Sequence, residues 1–395
     1  MQPFELPAGL PEPDQASIDH SAAVTSFIAA AIHQSGGTIP FGEFMQHALY
    51  APGLGYYVAG NTRFGAGGDF VTAPEVSPLF GRIIARQIVP LIEQVQDATV
   101  LELGAGSGAL AIDLLSSLAS SACLPAEYLI LEVSPDLAAC QEQSIVAALP
   151  ELADRVRWVA QVPSDFRGVI VANEVADALP VERFRFGDDG LEQAFVTHSD
   201  GRFAWVWRPA LPVVADAVNA LDLPFPEDIP VGYESTISPG LGAWVAELLG
   251  GLQQGWMLLF DYGLSRREYY APDRSGGWLR CHFRHRVHNN PLVLPGIQDL
   301  SAWVDFTTAA EAGADAGAEL AGYLTQGQFL IQGGLDSEIA AASRLSDREQ
   351  LALASQAKQL VMPDEMGENF KCIAWTRGEV APPAAFAAMD RSGSL

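Results

Sequence analysis

A short apolar segment that runs into a glycine turn and then into a helix is the feature that most restricts the fold of this chain. The segment begins at Ala98, reads ATVLELGAGSGALAIDLLSSLA, and carries Gly104, Gly106 and Gly108 at its turn. The apolar run predicts a buried strand, and the periodic run after it predicts a helix. Glycines between the two allow a sharp turn and let a ligand approach the backbone.

Strands and helices alternate after this turn. The next strand is YLILEV, and the next helix has Ser134 at its N-cap and Pro135 at its first position. Two further strands are predicted by RVRWVAQ and GVIVANEV. Because helices between strands form crossovers, the sequence predicts a parallel sheet. The predicted fold class is therefore α/β, with a doubly wound Rossmann-like sheet.

The alternation stops after Pro180. Three short segments, RFRF, LEQAFVTHS and RFAWVWR, predict antiparallel ribbons, and a helix is predicted over 211–221.

The predicted organisation is a flexible leader (1–20), an N-terminal helical region with a glycine-rich lid segment (21–97), the first part of the core (98–180), an inserted β-ribbon and helix subdomain (181–235), the second part of the core with an Arg/His-rich insertion (236–378) and a flexible tail (379–395).

Charge and composition restrict the partners. The net charge of −26 repels phosphate backbones, so we expect no nucleic-acid partner. No apolar run reaches the ~20 residues of a membrane helix, and the first residues lack the pattern of a signal or transit peptide, so we expect a cytoplasmic protein without membrane insertion. The four cysteines are far apart and predict no metal site.

Six arginines and three histidines lie between Arg266 and His288 in this otherwise acidic chain. This Arg/His-rich segment is either a contact surface or a set of intramolecular pairs with the surplus carboxylates, and the sequence does not separate the two.

Two carboxylates flank the glycine turn. Glu102 lies two residues before Gly104, and Glu132 ends the next strand, where it can accept both ribose hydroxyls of a nucleotide cofactor. The spacing also fits a relaxed dinucleotide fingerprint, so a nicotinamide enzyme is an alternative. Glu102 and the third glycine, Gly108, favour S-adenosylmethionine (SAM) and the G-x-G-x-G spacing of methyltransferases.

Polar residues also follow the fourth strand. Asn173 and Glu174 come directly after the run GVIVA, at the edge of the sheet where the glycine turn lies, and Asp177 is one turn further on. One interpretation places Asn173 at the cofactor and lets the carboxylates of Glu174 and Asp177 hold a guanidinium group. The alternative is helix capping by Asn173, with the two acids in the favoured first turn.

The chain resembles the MidA-like family of SAM-dependent methyltransferases, whose mitochondrial members act in assembly of respiratory complex I. The segments that carry this resemblance are GGDFVTAPEVSPLFG (67–81), LELGAGSG (101–108), LEVSP (131–135), ANEVADALP (172–180), DYG (261–263), PGIQD (295–299), VDF (304–306) and TQGQFL (325–330).

The resemblance implies a seven-stranded SAM-binding sheet with inserted elements and arginine methylation of a protein, with a complex I subunit as substrate. It implies cofactor contacts for Glu102, Gly104, Gly106, Gly108 and Glu132. We further predict that Gly68 belongs to a lid over the methionine end of SAM. Two alternatives share the core: a methyltransferase of small molecules, and a non-catalytic assembly protein.

Overall fold

The computed structural model describes residues 6–60, 71–223 and 229–395. Its helices are α1 Gln15–Gln34, α2 Phe41–Tyr50, α3 Ala73–Val76, α4 Pro78–Gln94, α5 Ala109–Ser120, α6 Pro135–Ala148, α7 Pro212–Ala220, α8 Leu241–Gly251, α9 Arg266–Tyr269, α10 Phe306–Asp315, α11 Gln326–Gln332, α12 Leu335–Ala341 and α13 Asp347–Val361.

The strands are β1 Ile39–Pro40, β2 Thr99–Leu103, β3 Tyr128–Leu131, β4 Val156–Val159, β5 Phe166–Asn173, β6 Glu182–Gly187, β7 Gly190–Ser199, β8 Arg202–Pro209, β9 Glu234–Ile237, β10 Leu252–Leu264, β11 Leu279–Phe283, β12 Arg286–His288, β13 Asp299–Ala302, β14 Val304–Asp305, β15 Glu319–Thr325 and β16 Phe370–Arg377. They belong to two compact units. The larger comprises 71–176, 242–265 and 304–395, and the smaller 1–70, 177–241 and 266–303.

The larger unit is built on an eight-stranded sheet in the order β15-β16-β10-β5-β2-β3-β4, with β14 paired to β10. Strands β10, β5, β2, β3 and β4 are mutually parallel, and β16 runs antiparallel to β10 and β15. The strand order reverses between β2 and β5, which is the topological switch point where ligands bind in such sheets. The predicted doubly wound α/β fold is confirmed.

Side-chain alternation on these strands fixes which residues share a face. Glu102 lies in register with Val171 on one side and Ile130 on the other. Because residues two apart point to the same face of a strand, Asn173 lies on the face of Glu102. That face packs against α4 and α5 through an apolar cluster that includes Ile84 and Leu114. The polar side chains at the strand ends therefore lie at the rim of a dry core.

The helix starts of this unit follow the sequence signals. Ser77 accepts a hydrogen bond from Leu79 N at 3.3 Å at the start of α4, and Ser134 accepts one from Leu137 N at 3.3 Å at the start of α6. Both caps are followed by proline, whose missing N–H costs nothing at the first helical position. The cap predicted at Ser134 is confirmed.

The smaller unit is antiparallel. One sheet has the order β1-β7-β6-β9 with β8 on β7, and a second has the order β12-β11-β13. The three predicted ribbons are β6, β7 and β8, and the predicted helix is α7. Its core joins α1 and α2 to the sheets through residues such as Ile28, Phe44 and Val196. The domain boundaries derived from the sequence stay predictions.

Within the described ranges, no helix is long and apolar enough to cross a bilayer.

Candidate functional site

The glycine turn after β2 is the centre of the candidate site. Gly104, Gly106 and Gly108 have φ values of 59°, 55° and 88°, the left-handed region that other residues rarely adopt. The turn is closed by hydrogen bonds from Gly108 N to Ala105 O at 2.7 Å and from Gly104 N to Leu131 O at 2.9 Å. Gly108 is also the N-cap of α5 and has no side chain to bind the first N–H groups of that helix, of which Ala109 N donates to the Ser107 hydroxyl at 3.3 Å. Those groups suit an anionic ligand group such as a carboxylate.

The space beside Gly104 is open. A Cβ atom built there would meet only the Cγ2 methyl of Val175, at 3.4 Å, among the described atoms. A ligand can therefore approach the backbone at this point without displacing other side chains. This is the behaviour expected of a glycine that lets a cofactor lie against the chain.

A hydrogen-bonded network orients Glu132. Its Oε1 accepts from Ser134 N at 2.9 Å, and its Oε2 accepts from Gln141 Nε2 at 2.8 Å. The Gln141 amide also donates to Gly106 O at 3.1 Å and accepts from Trp158 Nε1 at 2.8 Å. Burial raises the pKa of Glu132, and the bonds from Ser134 and Gln141 oppose that rise. The next residue, Val133, is 62% exposed and offers an apolar surface beside the carboxylate.

Glu102 lies deeper than the rest of the site. It is 3% exposed, and its Oε2 accepts a hydrogen bond from the Tyr128 hydroxyl at 2.6 Å. Burial raises the pKa of Glu102 to about 7, and the tyrosine bond only partly opposes the rise. The contact of Glu102 in the structure is with Tyr128, and its contact with a cofactor stays a prediction.

The raised pKa of Glu102 predicts a pH-dependent stability. Folded Glu102 keeps its proton up to about pH 7, whereas the unfolded group loses it near its ordinary value of 4.5. The free energy of unfolding should therefore fall as pH rises across this window, by at most about 3 kcal/mol. Glu102→Gln keeps an acceptor for Tyr128 without the titration, so urea unfolding at pH 5 and pH 8 should show a smaller loss in the variant. Equal losses in both proteins would contradict the assignment.

The short helix α3 packs on the turn. Glu75 accepts a short hydrogen bond from the Ser107 hydroxyl, inside the glycine turn. Ala73 N donates to Glu174 Oε1 at 3.3 Å, after β5. Segment 73–76 thus joins the ends of β2 and β5 and forms a wall of the site. Gly68, predicted to belong to a lid, lies outside the described residues.

The backbone turns sharply after β5. Glu174 has a φ of 54°, and such strain in a non-glycine residue persists only where the surroundings hold it. Glu174 N donates to Phe260 O at 2.8 Å, and Ala176 N donates to Asp261 Oδ2 at 3.0 Å. Asn173 Nδ2 donates to Glu174 Oε1 at 3.2 Å. The fully buried Asp261 is thus the residue that fixes this turn from β10.

Asp177, predicted to act with Glu174, is the first residue of its segment in the smaller unit and is 7% exposed. In the same unit, parts of the Arg/His-rich segment are paired within the chain. Arg284 binds Asp14 at 2.7 Å, and His282 lies 3.7 Å from Asp299. These pairs support the intramolecular interpretation for those two residues.

Two residues of the site were missed in the sequence. Gln141 lies on the buried stripe of α6 with Leu137 and Ile145, four residues apart, so a polar residue at an apolar position was the available signal. Asp261 ends the apolar run of β10, as Glu102 ends that of β2. Each is a polar residue within or at the end of an apolar pattern, which is the signal that identified the other candidates.

The donor set fits SAM. The open turn with the N–H groups at the start of α5 suits the methionine carboxylate, and the oriented carboxylate of Glu132 suits the two ribose hydroxyls. The exposed side chain of Val133 offers a surface for an adenine ring. Glu132 is also compatible with a nicotinamide dinucleotide, so the geometry alone does not distinguish this cofactor from SAM.

Comparisons with known proteins distinguish between these two cofactors. A family model described as "Putative S-adenosyl-L-methionine-dependent methyltransferase" matches residues 83–324. The "Protein arginine methyltransferase NDUFAF7 homolog, mitochondrial" of Drosophila melanogaster is 30% identical over 380 residues, which cover 88% of this chain and 83% of that protein. The protein arginine methyltransferase NDUFAF7 of Danio rerio is 28% identical over 365 residues, with coverages of 85% and 82%.

A crystal structure of a protein from Burkholderia thailandensis, described as a "likely methyl transferase" and bound to S-adenosyl-homocysteine, is 38% identical. It superposes with a TM-score of 0.92 over 98% of this chain and 100% of that chain. The predicted cofactor, SAM, is confirmed over the nicotinamide alternative.

The predicted cytoplasmic location is wrong, because the matched animal relatives are mitochondrial proteins. The absence of a recognisable leader pattern did not justify that prediction.

Proposed function

The chain belongs to this family of SAM-dependent methyltransferases, and from this premise we propose that it methylates the guanidinium group of an arginine side chain in a protein. The observation that carries the proposal is Glu174, a carboxylate held in a strained turn at the edge of the sheet where the glycine turn lies. The animal relatives, which are named protein arginine methyltransferases, support the same acceptor.

Alignment is the main demand of this chemistry. SAM supplies a methyl group on a sulfonium, which is a good leaving group without further activation. The chain therefore has to orient the acceptor nitrogen in line with the methyl group and exclude water. The wall formed by segment 73–76 and the buried strand ends supply a fixed, largely dry frame for this.

A guanidinium acceptor explains a carboxylate at this position. The guanidinium group of arginine has a pKa far above neutral and is charged in water, so its charge needs a partner in a desolvated site. A carboxylate binds the planar group in one orientation, which fixes the nitrogen that is attacked. We propose that Glu174 has this role. The second predicted carboxylate, Asp177, belongs to the smaller unit, and its part stays a prediction, as does the complex I subunit as substrate.

The test is to identify the acceptor by amino-acid analysis. Cell lysate is heated to inactivate its own transferases and incubated with the purified chain and SAM labelled in the methyl group. Protein is precipitated and hydrolysed, and the labelled amino acid is identified by chromatography. We expect methylarginine, with no labelled methyllysine.

The other outcomes contradict the proposal in distinct ways. Label in methyllysine assigns a different protein acceptor, and label confined to the soluble small molecules supports a small-molecule methyltransferase. No transfer, with SAM bound, supports a non-catalytic assembly protein. A variant that cannot bind SAM, tested in the same lysate, gives the background.

A further inference from the structure

The side-chain oxygen of Asn173 is buried and accepts no hydrogen bond from the described residues. The orientation of the amide is not ambiguous, because only its NH₂ group can donate to the Glu174 carboxylate, at 3.2 Å. Oδ1 therefore points away from Glu174 with its full capacity to accept. Buried polar atoms without partners are rare in folded proteins, and at a strand end beside a cofactor turn they indicate a ligand.

The structure does not give this oxygen a capping role. In an N-cap the side-chain oxygen accepts from a backbone N–H two or three residues later. Here Asn173 Oδ1 accepts from no described residue, and the N–H of Ala176, three residues later, donates to Asp261 Oδ2 at 3.0 Å. Asp261 thus accepts the hydrogen bond from Ala176 N that Asn173 would accept as an N-cap.

We propose that Oδ1 of Asn173 accepts a hydrogen bond from the substrate nitrogen that receives the methyl group. The inference rests on the proposed function and changes the place of Asn173, which the sequence had assigned to the cofactor. Asn173 ends β5 one residue beyond Ala172, the partner of Leu103, and it pairs instead with Phe260 of β10. Asn173 thus ends a strand that lies between β10 and β2, whereas the groups that suit the cofactor carboxylate and ribose follow β2 and the next strand, β3.

The chemistry needs a neutral acceptor of this kind. As the nitrogen–methyl bond forms, the sulfur–methyl bond breaks and sulfur keeps the electron pair. The nitrogen gains positive charge and becomes a stronger hydrogen-bond donor, so an amide oxygen binds it more tightly in the transition state than in the ground state. The proton that the nitrogen then loses passes to solvent. A neutral amide orients the N–H without stabilising the fully charged guanidinium as a second carboxylate would.

Asn173→Ala tests the role. We expect kcat for methyl transfer to fall roughly 10- to 100-fold, the effect of losing one hydrogen bond to a charged group. The dissociation constant for S-adenosylhomocysteine, measured by calorimetry, should stay within about threefold of the wild type. The melting temperature should not fall, since the variant also removes an unpaired buried oxygen. A merely structural role would lower it.

A matched control is Gln326→Met. Gln326 also has a buried amide oxygen without a partner among the described residues, and it begins α11 after β15, three strands from β5 or about 14 Å. We expect its kcat to be unchanged. If Asn173→Ala also loses affinity for S-adenosylhomocysteine, Asn173 binds the cofactor and not the substrate. An unchanged kcat in Asn173→Ala would contradict the proposal. If the wild type labels an acceptor other than arginine, the proposed function fails. The ratio of kcat between the wild type and Asn173→Ala, measured on that acceptor, still tests the role of Asn173.

Discussion

Replacing Gly104 by valine is expected to raise the dissociation constant for S-adenosylhomocysteine by more than about 100-fold, which corresponds to about 2.7 kcal/mol. Among the described atoms, a Cβ at this position would meet only the Val175 methyl within 4 Å, and we expect the cofactor to lie in the space beside it. A β-branched residue is also strained at a φ of 59°. Calorimetric titration with S-adenosylhomocysteine measures the loss.

Gly317→Val separates obstruction from strain. Gly317 has a φ of 79°, follows α10, and has no described atom within 4 Å of an added Cβ. Both variants should lose a similar amount of stability, of the order of 1–3 kcal/mol for a left-handed residue. Only Gly104→Val should lose ligand. Equal affinity in the two variants would mean that the cofactor does not approach the backbone at Gly104.

The fold of the larger unit could be predicted because local signals and tertiary environment agree there. Strands β2, β3 and β5 are apolar on both faces, as buried parallel strands are, and each is bounded by a turn or a capped helix. The apolar run FKCIAWTR shows the same agreement and is the strand β16. The short strands β11 to β13 gave no comparable signal, because polar and aromatic residues without strict alternation look like a loop.

The candidate site was predicted less completely than the fold. Strand ends identify which residues reach the ligand edge, so Glu132, Asn173 and Glu174 could be found from their positions alone. The partner of each polar group could not, because hydrogen bonds join residues far apart in the chain. Gln141 contacts Glu132 across the start of α6, and Asp261 contacts Ala176 from a strand 85 residues later. The burial of Glu102, which raises its pKa, also depends on packing that a motif does not contain.

Glu174→Gln is expected to lower kcat for arginine methylation roughly 100- to 1,000-fold, comparable with losing one preorganised charge-stabilising group in other enzymes. Glutamine has the same shape and can still accept from Ala73 N, so the turn should be kept. The variant loses the charge that holds the guanidinium. Steady-state kinetics together with calorimetry separate the effects: the S-adenosylhomocysteine affinity should change little. Equal losses of kcat and of affinity would assign Glu174 to the cofactor.

Glu174→Gly shows whether the backbone strain serves the reaction. Glycine adopts a φ of 54° without steric cost, so this variant should unfold at a temperature at least equal to that of the wild type. It should also be as inactive as Glu174→Gln. A stable, inactive glycine variant means that the chain keeps a strained glutamate for its carboxylate and not for the turn. If the glycine variant is unstable, the hydrogen bond from Ala73 to the carboxylate is what holds segment 73–76 in place, and Glu174 is first of all a structural residue.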